Sequence, residues 1–182
     1  GMESSYPVEW PQFYTASIYM RKMLLSDKEH KEIIVDSLKF MVAEKRIILY
    51  AFVIMGNHVH LIWQPMFGCN LPEIQSSFIK YTAKQLKRSM ETSDHKMLDS
   101  FRVYKEDRAY QIWKRRPLSI ELRTTAAFDQ KLDYLHYNPV RAGLCMNPES
   151  YYYSSAGFYY SAKDNFGMLT HYSGTQIGLP VP

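Results

Sequence analysis

Val53-Ile54-Met55-Gly56-Asn57-His58-Val59-His60-Leu61-Ile62-Trp63 reads as an apolar strand, a tight turn and a second apolar strand. Gly-Asn between two apolar runs is a hairpin signal. Side chains alternate between faces along a strand, so His58 and His60 point one way and Val59 the other. Two imidazoles on one face are close enough to share one metal ion. Taken alone, the pattern serves equally as polar strand residues facing solvent. A site with two ligands is incomplete, and a third donor has to come from elsewhere. Cys-x-x-Cys and His-Glu-x-x-His patterns are missing from the sequence, which argues against structural zinc and against a zinc protease.

Outward from the hairpin, helical and strand patterns interleave. Gln12 to Met20 is rich in aromatic and β-branched residues and reads as a strand. Ser26-Asp27-Lys28-Glu29 opens a helix, with Ser26 as the expected N-cap. Ile33, Ile34, Leu38, Met41 and Val42 then recur at helical spacing, and Ile47 to Met55 reads as a central strand. Leu71 to Met90 is a second helix. Residues 91 to 107 are polar and mixed, a loop with some helix. Tyr110 to Trp113 reads as a strand ended by Lys114-Arg115-Arg116-Pro117, and Ser119 to Arg123 as a short strand or turn. Thr124 or Thr125 can cap a third helix carrying Phe128, Leu132 and Leu135. Its expected end is near Asn138, because Pro139 disfavours helical geometry in the residue before it. The order β-α-β-β-α-β-α, with a hairpin at its centre, predicts an α/β (α+β) fold with an antiparallel or mixed sheet and helices on one side.

At 182 residues, 46% of them hydrophobic, the chain fits one domain with a sizeable core. The expected organisation is a loose lead-in over residues 1–11, a domain over 12–160 and an irregular tail over 161–182. A net charge of +4 is too small to imply nucleic acid by itself, so clustering matters more. Cys69 and Cys145 are too few for a disulfide scaffold. No apolar run approaches the roughly 20 residues that span a bilayer, and the first residues lack a secretory pattern. Gly1 before Met2 reads as a cloning remnant, and a reducing cytoplasm is the expected compartment.

Asp133-Tyr134-Leu135-His136-Tyr137-Asn138-Pro139-Val140-Arg141-Ala142-Gly143-Leu144 is the second unusual stretch. Tyr134 and Asn138 are four apart and share a helix face. An amide carbonyl can ligate a divalent ion, and a phenol beside it can attack phosphorus. The ordinary alternative is a half-buried tyrosine and a helix-capping asparagine. Lys80, Lys84, Lys87 and Arg88 form a basic stripe that can track phosphates or serve as a solvated face. Lys114, Arg115 and Arg116 beside Trp113 combine charge with a stacking ring. Arg141 fits either a DNA contact or a helix cap, and His136 lies on a different face from Tyr134 and reads as structural.

Asn57-His58-Val59-His60 after an apolar strand, followed by Tyr134 to Leu144, resembles the REP-associated tyrosine transposases. These belong to the wider HUH single-strand transposase family, related to the single-tyrosine transposases of insertion sequences. The resemblance spans roughly residues 12 to 160, and Gly56 stands where the family usually has proline. It implies a ferredoxin-like domain acting on single-stranded, hairpin-forming DNA. It further implies His58, His60 and Asn138 as ligands of Mg²⁺ or Mn²⁺, and Tyr134 as the nucleophile that forms a 5′-phosphotyrosine. A catalytically silent hairpin-binding protein and an obligate-dimer transposase are the competing expectations. A homodimer, with the tyrosine serving its own or a partner's metal site, is left open.

Overall fold

Gly56 and Asn57 form the two-residue loop expected of the central hairpin, closed by a Met55 N–H donated to the His58 carbonyl at 2.9 Å. The hairpin joins β2 (Ile47–Ile54) to β3 (His58–Pro65). Neither turn residue takes a positive φ. A Cβ on Gly56 would come within 2.4 Å of Met23 Cε and 2.9 Å of Ser26 Oγ, so glycine serves close packing here. The structure is a computed structural model and describes residues 9–172.

Strand β1 (Gln12–Ser17) pairs with β3 on one side and with β6 (Leu118–Glu121) on the other. The antiparallel sheet has the order β2-β3-β1-β6, which is the ferredoxin-like order. Helices α1 (Lys28–Ala43) and α2 (Leu71–Ser93) are the two crossovers. They pack on the face carrying Tyr14, Val59, Leu61 and Trp63. Asp27 caps α1 by accepting from Glu29 N–H, one residue later than the expected Ser26. The polar stretch after α2 folds as α3 (His95–Ser100) and a small hairpin of β4 (Arg102–Lys105) and β5 (Arg108–Tyr110), separate from the main sheet.

The single-sided expectation is extended by α4 (Thr125–Arg141), which covers the opposite face. Phe128, Leu132 and Leu135 pack there against Phe13, Val53 and Ile62. Both faces of β2 and β3 are apolar enough to require cover. The helix does not end before Pro139; it runs through it to Arg141. Pro139 is buried, and the turns beyond it close through Ala142 N–H to Asn138 O and Leu144 N–H to Pro139 O. A proline in the last turn forfeits only one helical bond, to Leu135, and packing outweighs the loss.

The C-terminal segment runs along β2. Ile54 N–H donates to Tyr153 O, Ser155 N–H to Phe52 O, and Thr170 N–H to Leu49 O, so the outer edge of β2 is covered. A short helix, α5 (Ala156–Ser161), lies in this segment. Phe166 and Met168, within the expected tail, are buried in the core, and residues 1–8 and 173–182 lie outside the described region.

Trp113 corrects an expectation. It is only 5% exposed and packs on Phe78, with Nε1–H donated to Thr82 Oγ1 at 3.0 Å. A bridge to Ile18 turns its ring inward, so it is not a stacking face for a base. Trp113→Ala is therefore expected to lower stability by about 3–5 kcal/mol, read from the urea midpoint. An unchanged midpoint would contradict this burial.

Candidate active site

His58 and His60 lie on the α4 face of β3, with ring centroids 4.8 Å apart. Their cross-strand partners on β1 are Ser17 and Thr15. His60 Nδ1 lies 2.7 Å from Thr15 Oγ1, which leaves its Nε2 as the nitrogen available to a ligand. Phe13 stacks on the His60 ring at 5.2 Å. His58 Nδ1 lies 2.7 Å from Asn57 Oδ1, and its Nε2 lies 2.9 Å from Asn138 Oδ1. The strand pair and α4 thus bring together two sequence stretches some 75 residues apart.

Tyr134 and Asn138 share the face of α4 that looks onto this pair, as the four-residue spacing requires. The Tyr134 ring is 5.7 Å from that of His60 and 6.1 Å from Phe13, and the residue remains 45% exposed. Two cations flank it. Lys131 Nζ sits 5.5 Å from the ring centroid, and Arg141 Cζ 4.3 Å. Arg141 also donates to the Tyr134 carbonyl. Arg141 thus contacts both the ring and the backbone of the tyrosine.

Burial pushes the His60 pKa down to about 3, reinforced by the neighbouring charges of His58, Arg141 and Lys131. His58 is lowered as well, mainly by burial; the Asn138 bond opposes this and Arg21 adds to it. Both imidazoles are thus neutral near pH 7, the form that ligates metals. A neutral His58 donates from one ring nitrogen only. Oxygens of Asn57 and Asn138 face its two ring nitrogens at 2.7 and 2.9 Å, so one proton serves only one of them. A cation bound by Nε2 and Asn138 Oδ1 in place of a proton satisfies both groups, as does a turn of either amide. The spacing also suits two neighbouring donors of one octahedral ion, which are about 3 Å apart when each bond is near 2.1 Å. The donors fit a divalent ion, although neutral imidazole and amide groups make a weak set. Among the described residues, no three of His, Cys, Asp and Glu cluster as a metal site.

The basic residues divide between two faces. Lys114, Arg115 and Arg116 line a hollow of about 190 Å³ with Thr15 and Ser17, the strand partners of His60 and His58. Lys114 N–H donates to Ser17 O at 2.7 Å, and Arg116 takes a left-handed backbone with φ of 59°. Lys80, Lys84, Lys87 and Arg88 instead face outward on α2, behind the sheet and away from the histidines. Sequence reasoning missed Thr15, Asn57 and Lys131. Lys131 was discoverable, being three residues before Tyr134 on the same helix face; the other two depend on strand register and turn geometry. His136 is structural as expected: it is buried, and its Nε2 lies 2.7 Å from Ser155 Oγ.

The fold is that of two solved structures. One is a REP-associated tyrosine transposase bound to a REP hairpin, 17% identical, with a TM-score of 0.61 over 100% of this chain and 99% of that one. The other is a Deinococcus radiodurans protein whose transposase assignment is itself provisional, 15% identical, with a TM-score of 0.50 over 74% of this chain and 94% of that one. No family model and no curated protein matches the chain. Among the described residues, no helix is long and apolar enough to cross a membrane.

The depressed histidine values carry a stability consequence. Burial pushes His136 down to about 4 and His60 to about 3. An unfolded chain protonates both near pH 6.5, so their contribution is complete above that pH and is lost as pH falls toward the folded values. Between pH 7 and 5, in metal-free buffer, each is expected to remove on the order of 2 kcal/mol. His60→Gln should remove about half of that dependence and leave the His136 share. A urea midpoint equal at both pH values would contradict the burial of these rings.

Proposed function

We propose that the chain is a tyrosine transposase of the REP-associated type, which nicks and rejoins single-stranded DNA at hairpin-forming elements. The observation that carries this reading is the meeting of Tyr134 and Asn138 with His58 and His60 inside one chain. The fold neighbour bound to a REP hairpin supports the choice of substrate.

A Mg²⁺ or Mn²⁺ ion held by His58, His60 and Asn138 would polarise the scissile phosphate and offset charge on its oxygens. The imidazoles favour Mn²⁺ more than an all-oxygen site would. Tyr134 Oη bonds to phosphorus as the bond to the 3′ oxygen breaks. The phenolic proton is lost, the departing 3′ oxygen gains one, and the 5′ end is left as a phosphotyrosine. Return attack by a 3′-OH breaks the phosphorus–tyrosine bond and rejoins DNA without ATP. A phenol leaves readily because its pKa, about 10, is well below that of a sugar hydroxyl. Lys131 and Arg141 keep the ring at the site and add positive charge where phosphate charge builds. Lys114, Arg115 and Arg116 suit the phosphates flanking the scissile one.

Two features favour a tyrosine acting on its own chain's site over an obligate dimer. Tyr134 already faces the histidines, and the outer edge of β2 is occupied by the chain's own C-terminal segment. The weak, carboxylate-free donor set favours the binding-only alternative, a hairpin-binding protein without catalysis.

Incubation with 5′-extended DNA hairpins and Mn²⁺, followed by a denaturing gel, separates these readings. The expected result is a covalent adduct that Tyr134→Phe abolishes while hairpin affinity stays within about threefold. His60→Ala should reduce the adduct at least a hundredfold. Mixing the Tyr134→Phe and His60→Ala proteins should not restore it; restoration would mean that the tyrosine serves a partner. No adduct with any hairpin and either metal, with binding intact, would favour the binding-only protein.

A further inference from the structure

A second basic surface lies behind the sheet, on the far side from Tyr134. Helices α1 and α2 leave a groove of about 380 Å³ between them, within the range of small-ligand sites, roughly 300–1,000 Å³. Phe40, Tyr81, Arg46, Lys80 and Lys84 line it, with Ser37, Met41 and Ser77 along its floor and rim. Phe40 is 53% and Tyr81 49% exposed, unusual for rings with an adjacent core available. The Arg46 guanidinium lies over the Phe40 ring at 5.3 Å. None of Arg46, Lys80 and Lys84 is in an ion pair among the described residues. No carboxylate lines the groove; Glu73 belongs to the adjoining hollow around Gly68 to Asn70.

We infer that this groove is a second binding site for single-stranded nucleic acid, separate from the site of cutting. Three unpaired cations beside two exposed aromatic rings match a ligand that is anionic along its backbone and flat at its side groups. Cations track the phosphates and the rings stack with bases, a combination tolerant of sequence. The basic stripe continues from the groove along α2 to Lys87, whose Nζ lies 5.1 Å from the Tyr110 ring. Strand transfer handles a cut segment and an uncut one. The sheet separates the two surfaces, so this groove suits the segment that is not being cut. The choice of DNA over RNA rests on the transposase reading, whereas the groove's affinity for single strands does not.

The test uses the full chain carrying Tyr134→Phe and a fluorescent twelve-residue oligothymidylate with 5-bromouracil at its centre. Irradiation is expected to crosslink it to the α1 and α2 peptides holding Phe40 and Tyr81. Lys80→Glu with Lys84→Glu should weaken binding at least tenfold and lower the slope of log affinity against log salt by about 1.4, from about 0.7 per phosphate contact. Tyr81→Ala, an exposed position, should weaken binding fivefold or more, with circular dichroism unchanged. Equal affinity in all variants, or crosslinks confined to peptides around His58, Lys114 and residue 134, would overturn the proposal. So would binding of poly-glutamate in place of the oligonucleotide, or a dimer in sedimentation that the double charge reversal dissolves. Crosslinking at Tyr81 in a protein whose wild type forms no adduct would sustain the groove and sink the transposase reading; the reverse pattern would do the opposite.

Discussion

The alternation of side chains along β3 is the constraint on which the rest depends. Val59, Leu61 and Trp63 enter the core beneath α1 and α2, while His58, His60 and Ile62 face α4. A one-residue slip would bury both imidazoles beneath the first two helices and push three large apolar side chains to the other face. Pairing on both sides pins the register, with Thr15 and Val53 opposite His60. The same register puts a hydroxyl from β1 on His60, so the strand pairing that builds the core also orients the imidazole.

Helix α4 then has one task in two halves. Phe128, Leu132 and Leu135 anchor it to the sheet, and Lys131, Tyr134, Asn138 and Arg141 occupy the adjoining stripe. The helix is useful only if it persists past Pro139, because Arg141 reaches back to the Tyr134 carbonyl from the last turn. Buried His136 ties this helix to Ser155, whose hydroxyl also accepts from the Phe52 N–H of β2. The C-terminal wrap therefore braces the candidate site from behind as well as covering the sheet edge.

Much of this was legible from local periodicity. The hairpin and the shared face of His58 and His60 follow from a two-residue repeat, and the Tyr134–Asn138 pair follows from a helical turn. Neither needs tertiary information. Trp113 was misread because Lys114, Arg115 and Arg116 next to it suggest a surface, whereas the bridge to Ile18 rotates its ring into the core. The expected stop before Pro139 failed because burial of that proline outweighs one lost hydrogen bond. The two faces of the basic residues were hidden for a related reason: linear clustering does not tell which side of a sheet a helix covers. Lys114 to Arg116 border Thr15 and Ser17 on the strand next to the histidines, and the α2 stripe lies behind the sheet.

The central proposal is that His58, His60 and Asn138 of one chain hold a divalent ion beside Tyr134 of the same chain. The most direct measurement is a Mn²⁺ titration followed by nuclear magnetic resonance of the side chains. Substoichiometric Mn²⁺ is predicted to broaden the Asn138 side-chain amide and the Tyr134 ring signals together with both histidines, and His58→Ala with His60→Ala should abolish the effect. Broadening centred elsewhere, or histidine broadening that leaves Asn138 and Tyr134 untouched, would contradict the account.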